Sequence, residues 1–335
     1  MVTMRDVAEQ AQVSVATVSR VINKSGFVSP ELEARVRGAM AELNYQPSAL
    51  ARGLRRQETQ TVGLLVPQLD HPFFSGLAYA IEKACFEADY RTFVCSAEED
   101  QAKEDAYIAM LMRQRVDGVI LVPTGHTTEK VQALAQRGTP VVLVDRDLEE
   151  LDISRVLSNN ARGAYQGIRY LLELGHRRIG VVGGPSYSHP MKRRIHGLTR
   201  ALADAHVEPD PELMLVVDEG QQFELGYHAA LKLLRRASRP TAIFALTDVM
   251  AVGVLHAAAQ LGVAVPEELS VMGFDDIPLA AYSIPGLTTV AQPIYRMGAT
   301  AVEVLLQHIR DPQADTERIV LNTQLVFRKS TAPCP

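Results

Sequence analysis

Residues 4–23 read MRDVAEQAQVSVATVSRVIN and predict two short helices joined by a turn of a few residues. Ser14 stands at the start of the second helix, where its hydroxyl suits the free backbone amides of the first turn. Ser29 followed by Pro30 is a further N-cap with proline in the first helical turn, and it begins a third helix that runs to about residue 44. Three short helices in this order predict an all-α helix-turn-helix unit.

The outer face of the second helix suits the major groove of DNA. Val15 and Ala16 are small residues at its N-terminal end and would let the helix sit deep in the groove. Arg20 has the forked donor geometry that reads guanine O6 and N7. Side chains that suit phosphates share this face: Thr17, Ser19 and Asn23. On the pattern alone, the alternative is a small helical packing module with a solvated polar face.

Composition and charge exclude several classes of protein. The 335 residues are 47% hydrophobic and 22% charged, as in a globular chain of two domains, and no apolar run approaches the roughly 18 residues of a membrane span. The charged N-terminus and three cysteines without CxxC spacing favour a reduced, cytoplasmic protein with no membrane association, no metal and no cofactor. Residues 1–60 hold eight Lys and Arg against six Asp and Glu, so a mildly basic segment precedes an acidic remainder.

From about residue 61 the pattern changes to short apolar runs that alternate with helical segments. The runs lie at residues 62–66, 119–122, 141–144, 179–182, 243–246 and 269–272. Continuous apolar runs suit strands that are buried on both faces of a parallel sheet. Their alternation with helices is the βαβ signature of a doubly wound α/β fold.

Residues 4–23, together with residues 42–52 (ELNYQPSALAR), closely resemble the headpiece of the LacI/GalR family of transcription regulators. The resemblance extends over essentially the whole chain. It implies that Val15, Ala16 and Arg20 contact the bases of a double-stranded DNA operator. It implies contacts with the DNA backbone for a further set: Ser14, Thr17, Ser19, Asn23 and Tyr45.

Residues 47–60 would form a hinge, with a short helix over about residues 49–56 that is marginal in isolation. The alternative is a plain linker. In the resembling family this segment folds only on DNA, and the leucine that matches Leu54 enters the minor groove. Arg52 and Arg55 would then hold the flanking phosphates. Each hinge helix needs its twin from a second subunit, so the resemblance implies a homodimer on a pseudo-palindromic operator.

The core is expected to resemble the two-lobed fold of periplasmic sugar-binding proteins. The expected domains are a headpiece over 1–46, the hinge and linker over 47–60, and an effector-binding and dimerisation core over 61–335. Within the core, lobe one is expected at about 61–160 and 292–316, and lobe two at about 161–290 and 318–329. Ligands of such sheets bind beyond the carboxyl ends of the strands, here in the cleft between the lobes.

Polar and aromatic side chains follow the predicted strands and are the expected effector-binding set: His71, Phe73, Phe74, Asp145, Arg146, Arg194, Phe223, Thr247, Asp275 and Gln292. Aromatic faces suit the C–H faces of a sugar, and charged groups suit its hydroxyls. The set resembles the ribose site of this fold, except that His71 and Thr247 replace asparagines. Purine-responsive members of the family have a tryptophan where Arg146 stands, and this chain has no tryptophan. A monosaccharide such as ribose is the expected effector, with a purine or nucleoside as the alternative.

Neither an enzyme nor a transporter is the expected function. GxSxG and HExxH are absent from the sequence, and the neighbours Asp275 and Asp276 would point apart rather than form a catalytic or metal-binding pair. A sugar-binding transport component, the other alternative, would share the core but lack the headpiece. The chain ends without leucine heptads, which favours a dimer over a tetramer. The expected function is a sugar-controlled transcription regulator that acts as a repressor, with the ligand either an inducer or a corepressor.

Overall fold

The computed structural model of the chain describes residues 2–23, 25–45, 59–124, 128–217 and 220–335. The chain forms two units, Met1–Gln60 and Thr61–Pro335. The hinge helix expected over about residues 49–56 lies outside the described residues.

The first unit is built from three helices: α1 (Met4–Gln10), α2 (Val15–Asn23) and α3 (Pro30–Glu42). The predicted caps begin two of them, because the Ser14 hydroxyl accepts a hydrogen bond from the amide of Thr17 (3.1 Å) and the Ser29 hydroxyl accepts one from the amide of Leu32 (3.4 Å). Small apolar residues are buried where the helices meet: Val7, Ala8, Ala11, Val18, Val21, Val36 and Ala39. The predicted helix-turn-helix unit is confirmed.

An arginine of α3 holds the turn between α1 and α2. Gln12 occupies the left-handed region of backbone space in this turn, with φ +51°. Nη2 of Arg35 donates hydrogen bonds to the carbonyl oxygens of Ala11 (2.6 Å) and Gln12 (3.1 Å). Because these bonds satisfy carbonyl groups at the end of α1, they help to hold the angle at which α2 leaves the turn.

The second unit contains two β-sheets, each with six strands among the described residues. The first sheet consists of β1 (Thr61–Val66), β2 (Arg91–Ser96), β3 (Gly118–Leu121), β4 (Val141–Val144), β5 (Ser154–Ser158) and β11 (Arg318–Leu321), in the order β11-β5-β4-β3-β1-β2. The second consists of β6 (Ile179–Gly183), β7 (Met214–Val216), β8 (Ala242–Ala245), β9 (Ser270–Asp275), β10 (Thr288–Ala291) and β12 (Gln324–Val326), in the order β12-β10-β9-β8-β6-β7. Of the described strand pairs, all are parallel except β10 with β12.

Helices connect the parallel strands, as the alternating sequence pattern predicts. They are α4 (Pro72–Glu87), α5 (Gln101–Gln114), α6 (Thr128–Gln136), α7 (Asn160–Glu173), α8 (His189–Asp204), α9 (Gln222–Leu234), α10 (Asp248–Gln260), α11 (Pro278–Tyr282) and α12 (Ile294–Arg310), with a 3₁₀ turn at Pro211–Leu213. We call each sheet with its helices a lobe. The two-lobed, doubly wound fold is confirmed. Within the described part of the chain, no helix has both the length and the apolarity needed to cross a membrane.

The last predicted strand, 318–329, is divided between the lobes rather than assigned to lobe two. Arg318–Leu321 pairs in parallel with β5 of the first sheet, whereas Gln324–Val326 pairs antiparallel with β10 of the second. The physical reason lies in the preceding helix. Buried residues of α12, including Met297 and Leu305, belong to the core of the first lobe, so the crossover delivers the next strand to the first sheet. The chain then turns at residues 322–323 and enters the second sheet.

Candidate DNA-binding face and candidate ligand site

The predicted base-contacting residues lie on an exposed face of α2. Val15 is 42% exposed although it is apolar, and Ala16 and Arg20 are exposed as well. A helix advances about 100° per residue, so these three positions fall within about 140° of its circumference. An apolar side chain held in water at the N-terminal end of a helix suits contact with a thymine methyl group, and the nearby guanidinium suits guanine.

The residues predicted to contact the DNA backbone differ in exposure and in position. Ser14 is exposed, while Thr17 and Ser19 are half-buried, and the Ser14 and Thr17 hydroxyls share a hydrogen bond of 2.9 Å. Asn23 is the last residue of α2. Tyr45 follows α3 and packs against the headpiece core. The hinge candidates lie outside the described residues: Arg52, Leu54 and Arg55.

In the second unit, most of the predicted effector residues follow strands at the carboxyl edges of the two sheets. Asp145 and Arg146 follow β4, Thr247 lies just beyond β8, and Asp275 ends β9. Gln292 follows β10, in one of the segments that cross between the lobes. The carboxyl ends of parallel strands share one edge of a sheet, so the topology collects these side chains.

Arg194 on α8 is the centre of a buried network in the second lobe. Its Nε donates a hydrogen bond to Oδ1 of Asn160 (2.8 Å), and its Nη2 donates one to Oδ1 of Asp275 (3.0 Å). Its Nη1 donates to the carbonyl of Leu246, and its guanidinium carbon lies 3.7 Å from the centroid of the Phe274 ring. Partners on four sides hold the guanidinium in one orientation.

Gln292 connects this network to the first lobe. Its Nε2 donates a hydrogen bond to Oδ1 of Asp275 (2.8 Å), and its Oε1 accepts one from the hydroxyl of Ser158 at the end of β5. Burial raises the pKa of Asp275, and the nearby Arg194 partly offsets this effect. A carboxylate with this many donors around it is oriented before any ligand arrives.

His71 makes a second connection between the lobes. Its Nδ1 accepts a hydrogen bond from the amide of Phe73 (3.2 Å), so Nε2 carries the proton and donates it to Oε1 of Gln222 (3.1 Å). The Thr247 hydroxyl donates to the same amide oxygen (2.9 Å). Burial lowers the pKa of His71, which keeps the ring neutral and consistent with this arrangement.

Asp145 and Arg146 carry the unsatisfied groups of the site. Two nitrogens of Arg146 bind the carboxylate of Glu99, at 2.5 and 2.8 Å, but its Nε is buried without a hydrogen-bond partner. Oδ1 of Asp145 is also buried without a partner. Burial raises the pKa of Asp145 to about 6, against the lowering effects of Arg194 and Arg146. A buried acceptor and a buried donor on adjacent residues are therefore free for a ligand.

Aromatic rings border these polar groups. Phe73 and Phe74 pack edge to face with centroids 5.2 Å apart, and the Phe74 ring also lies 5.3 Å from that of His71 and 5.6 Å from the Arg146 guanidinium carbon. Phe223 differs, because it lies in the first turn of α9 and its ring faces His256, at 5.9 Å. Its approach to a ligand stays a prediction.

Four partners in the network were missed by sequence reasoning: Glu99, Ser158, Asn160 and Gln222. Glu99 follows β2, and Ser158 and Asn160 end or follow β5, so the strand-end rule that identified Asp145 would also have found them. Gln222 has no such signal, because only the tertiary structure brings it to His71 and Thr247. Asp275 and Asp276 point apart as predicted, since Asp276 binds Arg328 (2.6 Å) instead.

Comparison with known proteins supports both units. Residues 3–48 match the family model for bacterial regulatory proteins of the lacI family, and residues 168–331 match that for a periplasmic binding protein-like domain. The HTH-type transcriptional repressor PurR of Aliivibrio salmonicida is 38% identical over 334 residues, which cover 98% of this chain and 99% of the relative. The ribose operon repressor of Haemophilus influenzae is 38% identical over 330 residues, with 98% of both chains covered.

Solved structures of LacI-family regulators are also similar to this chain. The lac repressor dimer bound to operator and the anti-inducer ONPF has a TM-score of 0.89 and 29% identity over 99% of both chains. A LacI family transcriptional regulator from Enterococcus faecium with bound ribose has a TM-score of 0.75 and 31% identity, over 82% of this chain and 100% of that one. These relatives are transcription regulators rather than enzymes or transport components. This protein is likewise a DNA-binding transcription regulator, and it belongs to the LacI family of bacterial regulatory proteins.

Proposed function

We propose that the effector of this regulator is a monosaccharide, ribose or a close relative, bound between the lobes beside Asp145 and Arg146. The observation that carries the proposal is the pair of unsatisfied buried groups, Oδ1 of Asp145 and Nε of Arg146. A sugar hydroxyl donates one hydrogen bond and accepts others, so it serves a carboxylate and a guanidinium at once. The Phe74 ring next to them offers an apolar face for the C–H groups of the sugar.

The proposed effector-binding residues are those predicted from the sequence, and each is assigned a role. Arg194 and Gln292 both donate hydrogen bonds to Asp275, so the three side chains hold one another in place, and we expect them to bind further hydroxyls of the sugar. His71 and Thr247 share Gln222 as a partner. The ribose-bound regulator from Enterococcus faecium and the ribose operon repressor of Haemophilus influenzae support a sugar of this class.

A ligand panel tests the proposal by thermal unfolding. Ribose, other pentoses, hexoses, hypoxanthine, guanine and cytidine are added to the full-length protein, and a ligand at about 100 times its Kd stabilises by roughly 2.7 kcal/mol. We expect a shift with ribose or a close sugar, and we expect Asp145→Asn to abolish it. Asp276→Asn is the matched control, because Asp276 is also a carboxylate beyond the end of a strand but is bound to Arg328. No shift with any sugar would refute the sugar assignment.

A purine or nucleoside is the second candidate. It is favoured by the PurR relative, which is as similar to this chain as the ribose operon repressor is. Against it stands Arg146, because purine-responsive members of the family have a tryptophan at this position and the guanidinium here is bound to Glu99. A shift with hypoxanthine or guanine alone would establish this candidate and leave the regulator assignment intact.

The working form of the regulator is proposed to be a cytoplasmic homodimer on a pseudo-palindromic operator, associated with the nucleoid when bound. Large apolar side chains are exposed on α4 and on the edge strand β2, and they suit a subunit interface: Tyr79, Phe86, Phe93 and Val94. Val15, Ala16 and Arg20 would read bases in the major groove and Leu54 in the minor groove, while the DNA backbone is held by Ser14, Thr17, Ser19, Asn23, Tyr45, Arg52 and Arg55. A monomer at micromolar concentration in sedimentation velocity would contradict the dimer.

Ligand and operator are proposed to be coupled through the arrangement of the lobes. The bridges from Ser158 to Gln292 and from His71 to Gln222 already link the lobes, so a ligand that adds contacts to both favours one arrangement. The dimer geometry of that arrangement would decide whether the two hinges meet on DNA. Fluorescence anisotropy of a labelled operator measures the coupling. An operator affinity that saturating ligand leaves unchanged would refute it.

A further inference from the structure

A second cluster of unsatisfied buried groups lies close to the proposed effector site. Asp147 and Glu149 belong to the segment between β4 and β5 in the first lobe, two and four residues after Asp145. His189 is the first residue of α8 in the second lobe, on the same helix as Arg194. One ligand atom from each of Asp147, Glu149 and His189 lies within 4.8 Å of the other two. The three side chains therefore meet across the boundary between the lobes.

Atoms that could bind a cation are buried here without partners. The Asp147 side chain is 1% exposed, and Arg155 donates a hydrogen bond to its Oδ1 (2.6 Å), but its Oδ2 has no hydrogen-bond partner. Both ring nitrogens of His189 are likewise buried without a hydrogen bond. Nε2 of His189 stands 3.6 Å from a carboxylate oxygen of Glu149, which is beyond hydrogen-bonding distance. Buried polar atoms without partners that converge in one place suit an additional bound species such as a cation.

We propose that Asp147, Glu149 and His189 bind a divalent transition-metal cation, such as Zn²⁺, that links the two lobes. One imidazole nitrogen with two carboxylate oxygens is a donor set that Zn²⁺, Co²⁺ and Ni²⁺ accept. The Glu149 side chain is 73% exposed, so it is free to move inward to metal–ligand distances of about 2 Å.

Nearby positive charges set the strength of the site. Arg155 occupies only Oδ1 of Asp147 and so orients the carboxylate. Arg318 lies 3.9 Å from Oδ2, but its side chain is 57% exposed and free to turn into water. Arg193 adds a further positive charge near His189. These charges and the three-ligand set predict an affinity weaker than that of a four-ligand structural zinc site.

The position of the cation would couple it to the effector. It would join the segment that carries Asp145 to the helix that carries Arg194, and both residues belong to the proposed effector site. Because cation and effector would favour the same arrangement of the lobes, each should tighten the binding of the other. The metal site itself does not depend on which effector binds.

Metal titration of the untagged, full-length protein, stripped by a chelator, tests the proposal. We expect one equivalent of Zn²⁺ to bind saturably by calorimetry, and Co²⁺ to develop visible absorption bands at the same stoichiometry. His189→Ala and Glu149→Gln should each weaken binding by at least about tenfold. His228→Ala should leave it unchanged. His228 is the matched control because it also stands next to a glutamate, 3.5 Å from Glu224 on α9, but in an exposed pair.

Thermal unfolding without metal shows whether each variant is folded before its binding is compared. Absence of saturable binding would overturn the proposal, and so would binding that survives in His189→Ala. If the three residues form only an ion pair, the stability of the protein will change with pH but not with Zn²⁺. That result would also overturn the proposal. Ribose binding to the stripped protein is measured in parallel, so failure of the metal site and failure of the effector assignment are separate results.

Discussion

Replacing Asp145 by asparagine should make the ligand-free protein more stable at neutral pH. Burial raises the pKa of Asp145 from 3.8 to about 6, so ionisation of this group destabilises the folded state. A raised folded-state pKa means that the stability present below pH 3.8 is lost as the pH rises through 6. Asparagine carries no charge at any of these pH values and avoids the loss. Asparagine also tolerates the left-handed backbone at this position, where φ is +65°.

The expected gain follows from the size of the shift. Because Asp145 ionises near pH 6 in the folded protein instead of 3.8, its ionisation costs about 3 kcal/mol of stability above pH 7 and, by the same linkage relation, about 1 kcal/mol at pH 4.5. At 2–4 °C for each kcal/mol, the Tm of Asp145→Asn should exceed that of the parent by about 6–12 °C at pH 7.5 and by clearly less at pH 4.5. Scanning calorimetry of both proteins at the two pH values measures the difference in Tm. The other titrating groups are common to both proteins, so their pH effects cancel in this difference.

The control is Asp276→Asn, in which the same substitution is made at a left-handed residue (φ +59°) whose carboxylate binds Arg328. It should give no gain at pH 7.5, because it removes an ion pair rather than an unsatisfied charge. Equal Tm values for Asp145→Asn and the parent at pH 7.5, or a gain of the same size at pH 4.5, would refute the argument that Asp145 is held unsatisfied for a ligand. A gain in stability together with a loss of ribose binding would support it.

Three further predictions concern other parts of the molecule. Because hydroxyl groups favour the ionised form of Asp145, the affinity for ribose should fall as the pH is lowered below about 6, and calorimetric titrations from pH 5 to 8 would contradict this if the Kd stays constant. Arg20→Ala should weaken operator binding by about 1–3 kcal/mol in anisotropy titrations and leave the ligand-induced Tm shift unchanged; unaltered operator affinity would exclude Arg20 from the interface. Gly197→Ala should destabilise the core by more than about 2 kcal/mol, because the new Cβ would lie 2.0 Å from the carbonyl oxygen of Ala161. In Gly38→Ala the new Cβ meets no atom within 4 Å, so this substitution should stabilise its helix by about 0.5–1 kcal/mol. Urea titrations that show the same sign for both variants would refute the packing argument.

Local chemistry made much of this protein predictable. Ser14 and Ser29 cap helices through hydrogen bonds to residues three positions away. A few consecutive residues therefore determine where each helix begins. The apolar run 141–144 is buried along its whole length, as expected for an inner strand of a parallel sheet. The same regularity places polar residues beyond strand ends at one edge of the sheet, which is why the sequence alone predicts a role for Asp145, Thr247 and Asp275.

Only the tertiary structure decided which of these groups are satisfied. Asp145 and Asp275 look alike in the sequence, yet Asp275 receives hydrogen bonds from Arg194 and Gln292 while one oxygen of Asp145 has no partner. Crossover segments bring residues together that are far apart in the sequence. They pair β11 with the first sheet, and they place Asp147 of the first lobe next to His189 of the second. Capping and strand burial depend on neighbours in the chain, whereas the hydrogen bonds and charges of a buried site depend on neighbours in space.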